Sequence, residues 1–138
     1  MKLLVDTCAW SLLLRRRVKA TMSDAERTML AALTDAIQDG RVAIIGPIRQ
    51  EILSGIREAA QFEKLRGALE SFPDEQLTTA HYEEAARLFN ICRQRGVECG
   101  ASDVLICSVA LRGKLDILTS DAGLERCMEV LRGEGFLK

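Results

Sequence analysis

Leu3-Leu4-Val5-Asp6-Thr7 opens the chain with three apolar residues that stop at an acid. A short, unalternating apolar run suits a strand buried on both faces, and an acid directly after it projects from the strand's carboxyl end. The same grammar returns near the other terminus in Asp116-Ile117-Leu118-Thr119-Ser120-Asp121. Val42-Ala43-Ile44-Ile45, closed by Gly46-Pro47, is a further run of this kind, and Glu75 to Thr79 and Phe136-Leu137 add two weaker strand expectations. Helical periodicity fills the intervals. Short apolar strands alternating with helices call for one α/β domain over residues 1–138, with a short, mostly parallel central sheet of four to five strands flanked by helices on both faces.

The helices have readable ends. Ser23 and Glu26 have the spacing of a capping box, after which Ala25, Met29, Leu33 and Ile37 recur on one face as far as Gly40. Pro47 suits the first turn of a helix that carries Ile48, Ile52 and Ile56 inward. Phe62, Leu65 and Leu69 mark another, stopped by Pro73. Tyr82, Ala85, Ala86, Phe89 and Cys92 line a longer one that ends at Gly96. Val104 to Leu111 is apolar nearly all round, which predicts a helix enclosed by the fold. Leu124, Met128 and Leu131 form the inner face of the last.

Composition narrows the function classes. The 138 residues are 48% hydrophobic and 28% charged, enough for a core and a solvated surface without staples. No apolar run approaches the ~20 residues of a membrane span, and Met1-Lys2-Leu3-Leu4-Val5-Asp6 meets an acid too soon for a secretory leader, so a cytoplasmic protein is expected. The formal net charge of −1 gives no global field toward nucleic acid, so any such contact must come from a local basic patch or from cations. His81 is the one histidine, which weighs against histidine-based triads and proton relays. The five cysteines (Cys8, Cys92, Cys99, Cys107, Cys127) contain no CxxC pair. Three sit in apolar helical surroundings, and small core residues are the expected role.

Most of the twenty acids belong on the surface. Four are placed differently. Asp6 ends the first strand, and Asp121 follows the strand at residues 116–119, so both project from one edge of the sheet. Asp103 opens the most apolar helix, and Glu51 lies one turn into the helix after Gly46-Pro47. Each has a plain alternative: Asp103 could complement a helix N-terminus, Asp121 could be an N-cap, and Glu51 could be an exposed helix residue. Carboxylates converging on one edge repel unless a cation sits among them. Oxygen-only ligation suits magnesium or manganese rather than zinc.

At these residues the chain resembles the PIN-domain ribonucleases, most closely the VapC-type toxins of bacterial and archaeal toxin–antitoxin pairs. The segments that carry the resemblance are residues 3–10 with Asp6, residues 48–55 with Glu51, residues 103–110 opening on Asp103, and Leu118-Thr119-Ser120-Asp121. They fall in the family's order and span essentially the whole chain. Leu124 stands where many relatives carry an aromatic, and Cys8 where Ser or Asn is common. The resemblance implies a PIN-like fold and Mg2+- or Mn2+-dependent hydrolysis of RNA phosphodiesters. Asp6, Asp103 and Asp121 would lie closest to metal, with Glu51 as a further ligand or an orienter of water. Thr7 and Thr119 would steady the carboxylates. It further implies a cognate antitoxin and a homodimer, with Arg15, Arg16, Arg17, Lys19 and Arg49 contacting RNA or antitoxin. Trp10 reads as core or protein contact.

Two other readings remain. A haloacid-dehalogenase-like phosphohydrolase would use Asp6 as nucleophile, but it wants a second Asp where Cys8 stands. A catalytically silent PIN-like module for RNA or protein contact would need none of the four acids.

Overall fold

In the computed structural model, which describes residues 1–14 and 21–138, Leu3–Val5 form β1 at the centre of the sheet. Leu4 and Val5 are wholly buried, as a strand without polar alternation requires. β2 (Val42–Ala43) and β3 (Asp116–Leu118) lie on either side in the order β2-β1-β3, both parallel to β1. Leu3 pairs with Asp116 and Val5 with Leu118, so β1 and β3 end side by side. Asp6 N extends the ladder by donating to Leu118 O at 3.0 Å. The chain leaves β1 toward one neighbour and later returns on the other side as β3. Open parallel sheets form their crevice at such a divergence, outside the carboxyl ends.

The helices are α1 (Thr7–Leu14), α2 (Asp24–Gln38), α3 (Gly46–Leu53), α4 (Ala59–Leu69), α5 (Thr79–Gln94), α6 (Ala101–Gly113) and α7 (Ala122–Gly133). They pack as two groups, α1 against α2 and α3 with α4 on α3, and α5, α6 and α7 against one another. α2 starts on the expected capping box: Glu26 N donates to Ser23 Oγ at 3.1 Å and Ser23 N to Glu26 Oε1 at 3.0 Å. Its inner face is Met29, Leu33 and Ala36, with Ile37 half-buried and Ala25 exposed. α3 stops at Leu53, so Ile56 falls beyond it. α6 is buried along most of its length, Val104, Ile106, Cys107, Ser108, Val109 and Ala110 all lying inside. Trp10 is fully buried and meets Phe72 edge-on with ring centroids 5.0 Å apart, a core contact.

Among the described residues the sheet has three strands, not four to five. At the expected strand Glu75–Thr79 the chain makes one parallel bridge, Ile44 with Asp74, and Glu75 N donates to Ile44 O at 2.8 Å. Helix capping then overrides extension: Thr78 is the N-cap of α5, and its N–H donates to His81 Nδ1 at 3.0 Å. The single histidine is therefore a capping side chain. At the other expected strand, Gly135 (φ 83°) turns the chain after α7 and Phe136 N donates to Leu131 O at 2.8 Å, folding Phe136 and Leu137 back onto the core.

The cysteines also depart from expectation. Cys92 and Cys107 are buried free thiols, but Cys99 and Cys127 are joined by a disulfide. Their positions 28 residues apart, in a loop and a helix, carry no sequence signature of pairing. No helix of the described residues is long and apolar enough to cross a membrane. Arg15, Arg16, Arg17 and Lys19, expected to contact RNA or antitoxin, lie outside the described residues.

Candidate metal centre

Asp6 is half-buried at the end of β1, and both of its oxygens are held. Oδ1 accepts from Thr7 N at 2.8 Å and Oδ2 from Thr119 Oγ1 at 2.7 Å. Thr119 also accepts from Asp121 N at 3.0 Å, so one hydroxyl buckles the residue after β3 to the residue after β1. Cys8 closes the same junction: its Sγ accepts from Ser120 N at 3.3 Å and lies 3.7 Å from Asp6 Oδ2. A small polarizable sulfur thus fills the place where a hydroxyl or amide was the expected partner.

Asp121 and Asp103 are helix-start residues, as their plain readings held, but capping occupies only one oxygen of each. Asp121 is the N-cap of α7, with Oδ2 accepting from Leu124 N at 2.9 Å. Asp103 reaches back from the first turn of α6 so that its Oδ2 accepts from Gly100 N at 3.1 Å. Gly100 supplies no side chain to complete the box. The two helix starts face each other across Gly123, where a Cβ would sit 3.2 Å from Asp121 Oδ2 and 4.0 Å from Asp103 Oδ2. The absent side chain keeps the space between the acids open. The exposed Arg126 borders the same space, Nη2 being 4.0 Å from that point. Neither Gly123 nor Arg126 stood out in the sequence, where only Asp121-Ala122-Gly123 at a helix start could have hinted at the gap.

The electrostatics record the convergence. The Asp103 carboxyl is pushed above the usual carboxylate range, first by burial and then by the negative charges of Asp121 and Asp6, with the Gly100 N–H opposing. Glu51 is not part of this trio. It is exposed on α3 and lines a cleft shared with Ser11 and with Thr7, the residue after Asp6, and with Gln61 and Lys64 of α4. Thr7 Oγ1 is buried in that region without a hydrogen-bond partner among the described residues. Arg49, expected near substrate, is turned elsewhere. Its Nε donates to Asp74 Oδ1 at 3.0 Å, its Nη1 to Leu69 O at 3.0 Å and its Nη2 to Phe72 O, clamping the end of α4 and the segment after it to α3.

The donor set fits a hard divalent cation: three carboxylates near enough that the charges of Asp121 and Asp6 add to burial in raising Asp103, with no histidine or thiolate among them. Among the described residues, the sole group of three metal-ligating side chains with all donor atoms within 4.8 Å of one another is Cys92, Cys99 and Cys127. The acids therefore stand wider apart than a single tight oxygen cage, a spacing that leaves room for water and substrate oxygens to complete a shell.

The chain is an α/β domain whose acids gather at the carboxyl edge of a parallel sheet and at paired helix starts. The PIN domain model matches residues 3–129, and the chain belongs to the PIN-domain family, whose members are generally nucleases that use divalent metal ions. Among solved structures, FitAcB from Neisseria gonorrhoeae has a similar fold, with a TM-score of 0.71 at 18% sequence identity over 92% of this chain and 93% of that one. No curated protein matches the chain in sequence.

Proposed function

We propose that this PIN domain is a Mg2+- or Mn2+-dependent endoribonuclease and the toxin component of a VapC-type toxin–antitoxin pair. The observation that carries the reading is the convergence of Asp6, Asp103 and Asp121, each held by a backbone or hydroxyl contact, on one rim of the sheet, where the charges of Asp121 and Asp6 add to burial in raising the Asp103 carboxyl. Asp6, Asp103 and Asp121 would hold the metal. When bound, it would polarise a phosphoryl oxygen, lower the pKa of water and stabilise the leaving oxygen.

The chain's own residues set the geometry. Thr119 fixes Asp6 and, through Asp121 N, the start of α7. The orphaned, buried Thr7 hydroxyl would take an ordered water as its partner beside Asp6. Glu51, exposed in the cleft that Thr7 also lines, would orient a water arriving from solvent. Arg126, beside the acids, and Lys64, in the Glu51 cleft, are exposed cations that would suit phosphate oxygens, in the way basic side chains contribute salt-sensitive affinity. A cognate antitoxin and a homodimer complete the proposal.

Cleavage of a fluorescent RNA with Mn2+ tests it. Asp6→Asn is expected to lower the rate by about a thousandfold, on the order of 4 kcal/mol of barrier, with an unchanged circular dichroism spectrum. Undiminished cleavage by that variant would remove Asp6 from the site. A wild-type chain that binds RNA without cutting it would establish the silent interaction module instead.

A further inference from the structure

Cys92, in the last turn of α5, brings a third sulfur to the Cys99–Cys127 bond, all three sulfurs lying within 4.8 Å of one another. Cys92 and Cys127 are fully buried, whereas Cys99 keeps 7% of its surface exposed. Cys99 directly precedes Gly100, the residue whose N–H holds Asp103, and Cys127 belongs to α7, the helix that Asp121 caps. The bond therefore ties together the two segments that present Asp103 and Asp121.

We propose that Cys92, Cys99 and Cys127 form a thiol–disulfide exchange site, opened by a dithiol reductant, that sets whether the acid-bearing starts of α6 and α7 are held together. With two of the three sulfurs bonded to each other, one thiol is left, too few for a metal site in this state. A dithiol attacks Sγ of Cys99, the one residue of the three that keeps any exposed surface, and the Cys99–Cys127 bond breaks as Cys127 leaves as a thiolate that takes up a proton. The reductant's second thiol then displaces Cys99 from the mixed disulfide. In sum, two protein thiols and one oxidised dithiol form, with two electrons and two protons passing to the protein.

Cys92 supplies the internal alternative. Its thiolate attacks Cys127 Sγ, a Cys92–Cys127 bond forms, and Cys99 leaves with the proton that Cys92 gave up. That link joins α5 to α7 and frees the Gly100 loop. A Cys92–Cys99 link would instead close within the end of α5 and the loop after it, leaving α7 unattached. Of the three pairings, Cys99–Cys127 alone joins the Asp103 loop to α7.

Alkylation of the wild-type chain, followed by peptide mass mapping, reads the exchange without any activity assay. Under non-reducing conditions Cys8, Cys92 and Cys107 are expected to take the label after denaturation, and all five cysteines after treatment with dithiothreitol. In Cys127→Ser, diamide is expected to produce the Cys92–Cys99 pair, and in Cys99→Ser the Cys92–Cys127 pair. Hydrogen exchange at Gly100 and Leu124, whose amides donate to Asp103 and Asp121, should speed up on the order of tenfold when the wild type is reduced. Five labelled cysteines before reduction would overturn the site, as would diamide yielding neither new pair in the variants. Unchanged exchange at Gly100 and Leu124 would overturn its link to the acids. Zinc that shields all three sulfurs of the reduced chain from alkylation, and blocks their pairing, would reassign the trio as a metal site and overturn the proposal. The effect on RNA cleavage rests on the function proposed above, but none of these readouts does, so failure of one leaves the other standing.

Discussion

The starts of α2 and of α6 use the same device to opposite ends. At α2, Ser23 and Glu26 satisfy each other's backbone reciprocally in an exposed setting, so the box is complete. At α6 the residue in the Ser position is Gly100, and Asp103 makes half of the pattern while facing Asp121 and Asp6. A complete box satisfies both backbone donors at its helix start. The incomplete one leaves an oxygen of a half-buried acid without a protein partner among the described residues, in a field that already repels it. Capping and ligation are therefore compatible roles for Asp103 and Asp121, and the plain and the functional readings of each acid describe different oxygens.

Substitutions can pull the two kinds of helix start apart. Thr119→Val removes the hydroxyl that holds Asp6 and the Asp121 amide while keeping the side chain's shape. Mn2+ affinity measured by calorimetry should fall about 10- to 100-fold, as outer-shell losses at metal sites do. An unchanged affinity would show that the buckle is structural only. Ser23→Ala should cost α2 about 1 kcal/mol, lowering Tm by roughly 2–5 °C, with no effect on Mn2+ affinity. A changed affinity would erase the distinction between the two helix starts.

Asp103→Asn should do the reverse of Ser23→Ala. Without metal it should raise Tm by about 1–3 °C at neutral pH, since an amide can still accept from Gly100 N and no longer meets the charges of Asp6 and Asp121. The pH dependence has the matching sign. The folded-state pKa of Asp103 is raised, so the folded chain binds this proton more tightly than the unfolded chain does. The cost is absent below the ordinary carboxylate range and appears as pH rises through that range toward the raised value. The advantage of Asp103→Asn over the wild type in metal-free Tm should shrink correspondingly on acidification, and an advantage constant with pH would assign it to packing.

How much of this was legible in the sequence depended on whether the signal was local. Asp6, Asp103 and Asp121 could be placed because each is fixed by its own segment: a strand end, an apolar helix start, a strand followed by a helix. The Ser23–Glu26 box was readable for the same reason. What failed depended on partners far along the chain. Arg49 stands beside Glu51 in sequence, but its guanidinium is drawn to Leu69, Phe72 and Asp74. Cys99 and Cys127 have no spacing that announces their bond. Glu75–Thr79 and Phe136–Leu137 carry strand-like residues, but a threonine cap and a helix-ending glycine decide their backbone first. Glu51 could be placed on its helix, and the structure sets it across a cleft from Thr7 rather than among the three aspartates.

The narrowness of the sheet has a bearing on how the chain behaves in a crowded solution. Two of its strands are borders, and a border strand offers unpaired amides and carbonyls to any other chain that comes alongside. Here one border is the two residues Val42–Ala43, continued by Ile44, whose carbonyl Glu75 already occupies. The other is the three residues Asp116–Leu118, led by an exposed carboxylate. Neither run reaches the six or seven residues that seed stacked cross-β assemblies. By ending its strands so early the fold both places its acids at a common rim and denies neighbouring molecules a template for fibre growth.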